Sequence, residues 1–384
     1  MLAIAAELPA MERPRAMVVV GTDTGVDTAF LTALVGRTAP APILAASTLP
    51  PWVGPLDLVV VLSAHADDEQ AAQAAGIARR RGATLVVRGA ESGPVAEAAG
   101  RSLIAPVIAV PETLAVCARL ALLAVIAARA GLGPAVELAR TADLLDATAL
   151  ACHPDAENWL NPGVNLAEYL SEGTPLLVGC DRLADAIAAH GVRALADLGG
   201  LAAGLMTSTQ GQASPALLRR IGGRKDLFAD PDDDDEPTQL VKPLLVSTTA
   251  ADTSGAAPAV AADRIALAGM LRSFTGAMHL DGSSDALPAV AGLPPNQGFG
   301  DGASREWAAV GPAVHGQPAS EFDAAIAACL RLDFAAVYTG MATGQLVPLD
   351  FPDGLGRLGG TRWAVRPASV GDRREREQGG TSWN

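Results

Sequence analysis

The chain has 384 residues, long enough for more than one core, and is 49% hydrophobic and 18% charged. With 40 Gly and 27 Pro, that composition fits a compact α/β protein with many short turns. A net charge of −14 argues against a nucleic-acid or anionic-membrane surface, which needs a basic face, but not against a small anion held by backbone N–H groups.

At the start, Met1-Leu2-Ala3-Ile4 has no basic n-region and no small-residue cleavage site, so no secretory signal is expected. Met17–Val20 predicts a short strand running into Gly21-Thr22-Asp23-Thr24-Gly25, followed by a helix from Asp27 to Val35. Ile43–Ala46 can form another strand, and Pro50–Pro55 a rigid turn. Leu56–Leu62 is a Val-rich run closed by polar residues, the pattern of a strand buried on both faces. After the loop Ser63–Glu69 comes an Ala-rich helical segment ending at Gly82, then a second Val-rich run to Val87. This is a βαβ unit with parallel strands, and its first loop lies where open α/β sheets hold ligands. A short helix over Val95–Ala99, a strand over Pro106–Pro111 and a long helix over Leu114–Ala130 follow. Arg119 and Arg129 interrupt that apolar helix, so a buried helix is expected and no membrane partner.

Residues 133–160 are more polar and helical, with amphipathic spacing from Leu138 to Leu150, and read as a bridge between residues 1–132 and 161–350. Asn161-Pro162 opens the second half, with a helix over Asn165–Leu170. Pro175–Gly179 repeats the strand–Gly ending of the first half, followed by a helix from Leu183 to His190. A later strand is expected at Leu244–Thr248 and a helix at Arg264–Phe274, so internal duplication is the simplest account. Asp232–Glu236 reads as a solvated acidic loop, 281–316 as a mobile insertion, Glu321–Thr343 as a strong helix and 351–384 as a disordered tail. Repeated strand–helix alternation predicts α/β architecture: two doubly wound, flavodoxin-like parallel sheets joined by helices. Four scattered cysteines, Cys117, Cys152, Cys180 and Cys329, predict reduced thiols and a cytoplasmic location.

From Leu58 to Val87 the sequence resembles a sugar isomerase (SIS) domain. The pair of halves is similar to bifunctional phosphoglucose/phosphomannose isomerases. Asn161-Pro162, Pro175–Gly179 and Phe334–Gly340 add to the likeness, and Pro50–Asp57 resembles the diverged actinobacterial TobH-like branch. The resemblance implies a homodimer with a site near the subunit interface. It also implies a sugar-phosphate ligand and interconversion of glucose 6-phosphate or mannose 6-phosphate with fructose 6-phosphate, with no cofactor. The family's phosphate loop, Ser-Tyr-Ser-Gly-Asn-Thr-Glu-Glu, becomes Ser63-Ala64-His65-Ala66-Asp67-Asp68-Glu69-Gln70. Ser63 is the hydroxyl retained, while Asp67 and Asp68 suit the N-cap of the next helix better than a phosphate.

In the first Gly-rich loop, Gly21, Thr22 and Thr24 are candidate substrate-binding residues, although a structural turn needs Gly21 as well. Isomerisation needs a base at C2 and a ring-opening group. Asp197 is the one carboxylate near the family's base position, and His190, on the preceding helix, reads as a surface residue. No zinc, calcium or Gly-x-Ser-x-Gly pattern is present, so neither a metal site nor a hydrolase is expected. The residues favour loss of standard isomerase chemistry. The alternatives are a phosphosugar or nucleotide-sugar sensor and an interaction partner in mannose metabolism.

Overall fold

The computed structural model describes residues 13–21, 24–36, 39–107, 112–157, 159–207, 210, 241–248, 278–281, 320–348 and 363–365. The expected acidic loop and the helix over Arg264–Phe274 lie outside the described residues, as do the expected insertion apart from Asp281 and the expected disordered tail apart from residues 363–365, which form a short strand instead.

The first half is built on β1 (Met17–Val20), β2 (Ile43–Ala46), β3 (Leu58–Leu62), β4 (Thr84–Gly89) and β5 (Leu103–Pro106). They form one parallel sheet in the order β2-β1-β3-β4-β5, the doubly wound order expected for this class. Strand alternation explains the two-sided burial. Met17, Val19, Leu58 and Val60 point into one core, with Leu31 and Val35 of α1 (Thr24–Val35) and Leu122 and Ile126 of α4 (Val116–Arg129). Val18, Val20, Val59 and Val61 point into the other, with Ala-rich α2 (Glu69–Arg80) and Val95 of α3 (Pro94–Ala99). Alanines let α2 approach the sheet closely. Gly82 ends α2 at φ 73°, the left-handed turn that glycine adopts at least cost.

A strand lies at Leu103–Pro106 on the edge of the sheet, pairing Val86 with Leu103 and Gly89 with Pro106. Of the strand expected over Pro106–Pro111, residues 108–111 lie outside the described residues.

The bridge helix α5 (Leu138–Ala151) leads to α6 (Pro162–Ser171). Asn161 is fully buried and caps α6, its Oδ1 accepting from the N–H groups of Gly163 and Val164 at 2.9 and 3.1 Å. In the second half β6 (Thr174–Gly179), β7 (Gly204–Met206), β8 (Val241–Ser247) and β9 (Met278–Asp281) are parallel in the order β7-β6-β8-β9, repeating the first four positions of the first sheet. A small antiparallel pair, β10 (Leu346–Pro348) with β11 (Trp363–Val365), follows.

Helix α7 (Arg182–Asp197) and the 22-residue α8 (Glu321–Ala342) cover one face of the second sheet. By length and hydropathy α8 could cross a membrane, yet 72% of its apolar window is buried, as in a core helix. The halves share a core: Phe30 of α1 and Val116 and Leu120 of α4 pack with Ile187, Leu195, Phe322 and Leu332. Phe30 meets Phe322 edge-on, with centroids 6.3 Å apart. Gly340 of α8 lies against the backbone carbonyl of Leu198, leaving no room for a Cβ. Gly340→Ala is therefore expected to lower unfolding free energy by about 1–3 kcal/mol, measured by urea denaturation.

Candidate functional site

At the carboxyl ends of β1 and β3 the strand order reverses, which opens the crevice where this architecture holds ligands. Gly21 follows β1 and packs against the carbonyl of Leu62 at the end of β3, where a Cβ would collide with it. Its glycine is thus required by the close approach of two strand ends. Thr24 is buried in the first turn of α1 and its hydroxyl reaches back to the Gly21 carbonyl at 3.4 Å. Thr22 lies outside the described residues.

Ser63 is buried, and its hydroxyl is 2.8 Å from the His65 carbonyl and 3.2 Å from Asp68 Oδ2. A serine hydroxyl has one proton, so the loop itself uses the donor. Asp68 Oδ1 accepts from the Ala71 N–H at 2.9 Å, which makes Asp68 the N-cap of α2, as its sequence position suggests. The helix end that could hold a phosphate is satisfied by a carboxylate of the chain.

Above these strand ends lies a cavity of about 230 Å³. The first half contributes Asp27, Leu62, Ala64, His65, Asp68, Glu112, Thr113 and Arg119, and α7 contributes His190 and Arg193. Its floor is an ion-pair chain. Arg119 Nε donates to Asp27 Oδ2 at 2.6 Å, and Arg119 Nη1 to Glu112 Oε1 at 2.9 Å. Glu112 also accepts from buried Arg88 of β4 at 2.8 Å. Burial alone would lower the Arg119 pKa, but Asp27 and then Glu112 outweigh it, and the guanidinium is held charged.

His190 is not the surface residue that its sequence position suggests. It is 3% exposed, and its Nε2 lies 2.7 Å from Oδ1 of Asp333 on α8, itself 2% exposed. The reason is periodicity: Ile187, His190, Gly191 and Ala194 all fall on the buried face of α7. Burial pushes the Asp333 carboxyl up from its ordinary range, opposed by His190 and Arg119. Asp333 Oδ2 has no hydrogen-bond partner among the described residues.

Asp197, the candidate base, ends α7 and does not line the cavity. Its side chain is 43% exposed, and its Oδ2 accepts from Arg193 Nε and Thr113 Oγ1, both at 3.2 Å. It ties two lining residues together. Among the described residues no group of three His, Cys, Asp or Glu side chains is placed to hold a metal ion. The helical pattern of α7 could have placed His190 inward, but nothing in the sequence pairs it with Asp333, 143 residues away.

The sequence matches no family model and no curated protein. Solved structures do share the fold. The C-terminal domain of glucosamine-fructose-6-phosphate aminotransferase from Francisella tularensis superposes with a TM-score of 0.55 at 12% identity, over 89% of this chain and 92% of that one. Tagatose-6-phosphate ketose/aldose isomerase from Escherichia coli gives 0.56 at 11% identity, over 87% of this chain and 84% of its own. The chain therefore has the mixed α/β, parallel-sheet fold of SIS-domain proteins.

Arg119→Met would leave Asp27 buried without its partner. The expected loss is about 3–5 kcal/mol of unfolding free energy in chemical denaturation, with part recovered in the Arg119→Met/Asp27→Asn double variant.

Proposed function

We propose that this chain is a sugar-phosphate-binding protein of the bifunctional phosphoglucose/phosphomannose isomerase type, in which the family's phosphate loop and carboxylate base have been replaced. The observation that carries this reading is the cavity at the switch point of the first sheet. It is closed by α7 of the second half and lined by both arginines and carboxylates. Carboxylates such as Asp27 and Glu112 accept hydrogen bonds from sugar hydroxyls, and arginine suits a phosphate. A cavity of about 230 Å³ suits a small molecule, since drug-sized sites run to roughly 300–1,000 Å³. Because Asp68 occupies the N-terminus of α2, the ligand's anion is assigned to Arg193, which lines the cavity and is 39% exposed, instead of the Ser63 loop. The resemblance supports a homodimer, and the four scattered free cysteines a cytoplasmic location.

The test is thermal unfolding with glucose 6-phosphate, mannose 6-phosphate, fructose 6-phosphate, a nucleotide sugar and inorganic phosphate. A ligand at about 100 times its Kd adds ~2.7 kcal/mol to stability, read as a rise in Tm. Arg193→Ala is expected to weaken binding of the phosphosugar while sparing that of the unphosphorylated sugar. No shift with any of these ligands would reject the assignment in favour of an interaction protein.

A further inference from the structure

The cavity holds an acid–base group that family likeness does not point to. His190 lines it from α7, is almost wholly buried, and is held through Nε2 by a buried carboxylate. The one side-chain hydrogen bond His190 makes among the described residues runs through Nε2. A carboxylate accepting from Nε2–H leaves the imidazole lone pair on Nδ1, the tautomer of a general base. Asp333 cannot move away from this task. It sits in the middle of α8, faces Cys117 and Arg119 on α4, and has Cys329 one turn back on its own helix. Burial pushes both thiols up, so neither competes for the proton at neutral pH.

We propose that His190 is the proton-abstracting residue of this cavity, positioned by Asp333, and that it acts on the carbon next to the carbonyl of an open-chain sugar phosphate. The proposal rests on the cavity binding a phosphosugar, as argued above. In the step, Nδ1 takes the proton from that carbon. The C–H electron pair becomes the C=C bond of an enediolate, and the carbonyl pair moves onto oxygen. The imidazolium, facing Asp333, then returns the proton to the same carbon, or to the neighbouring carbon as the hydroxyl proton passes between the two enediolate oxygens, so nothing is oxidised or reduced overall. Arg119 and Arg193 line the same cavity as the developing oxyanion. Asp197 has no part in the transfer; it holds Arg193 and Thr113.

The experiment is incubation of fructose 6-phosphate with the full chain in D₂O. Deuterium at C1 of the ketose and C2 of any aldose is read by NMR, and binding is followed in parallel by calorimetry. The wild type is expected to incorporate deuterium. His190→Gln should slow incorporation by about 100-fold or more, with affinity for fructose 6-phosphate nearly unchanged. Asp333→Asn should slow it less and displace its pH profile, a readout that a purely structural role would leave in place. Wild-type binding without deuterium incorporation overturns the proposal while leaving the binding assignment standing, and needs no variant to fold. Incorporation that persists in His190→Gln and disappears in Asp197→Ala also overturns it. Absence of binding overturns both assignments.

Discussion

The site depends on Arg119. Its guanidinium, on a mostly apolar helix, is gripped by Asp27 of α1 and by Glu112 of the short turn before α4. Glu112 in turn holds Arg88 at the end of β4. One cation thereby fixes two helices and a strand end around the switch point of the sheet. Isolated, the buried charges of Asp27 and Arg88 would be costly; linked through Arg119 and Glu112, each is satisfied. The polar floor of the cavity is built before any ligand arrives, so binding need not order these side chains.

The second half docks on the same pair of helices. Phe30 and Leu120 extend the second core into the first half, and α7 lies close enough to α1 to place His190 and Arg193 over the first sheet. This bears on chemistry as well as stability. A cavity walled by one half alone would offer the ion-pair floor and the self-capped loop, none of which is a poised acid or base. Apposition of the halves adds the imidazole of His190, held by Asp333, and apolar packing secures it.

Much of the architecture is legible in the sequence because it rests on local pattern. Leu56–Gly89 shows its strands by Val runs and its helix end by Gly82, and Asp68 announces its capping role by position. The site is far less legible, because its bonds join residues remote in sequence. Asp27 and Arg119 are 92 residues apart, and Thr113 and Asp197 are 84 apart. Matching a family's base position by order along the chain leads to Asp197. Asp197 ends α7, beside the lining residues Arg193 and Thr113, while His190, two turns earlier, lines the cavity itself.

The loop after β3 shows why charge, more than shape, separates this site from the phosphate loop it resembles. A helix N-terminus presents N–H groups that one anion can satisfy, either a ligand's or the chain's own. Here Asp68 takes that place, with Ser63 beside its second oxygen. The second half repeats the arrangement after β6. Asp181 caps α7 by accepting from Ala184 at 2.8 Å, while Thr248 lies 3.1 Å from its other oxygen. In both halves a carboxylate and a neighbouring hydroxyl close the helix end that a phosphate would use. Any anionic group brought into the cavity must then be met by side-chain cations. Among the cavity's arginines, Arg119 is held by Asp27 and Glu112 and Arg193 by Asp197, so each cation on this wall already faces a carboxylate of the chain.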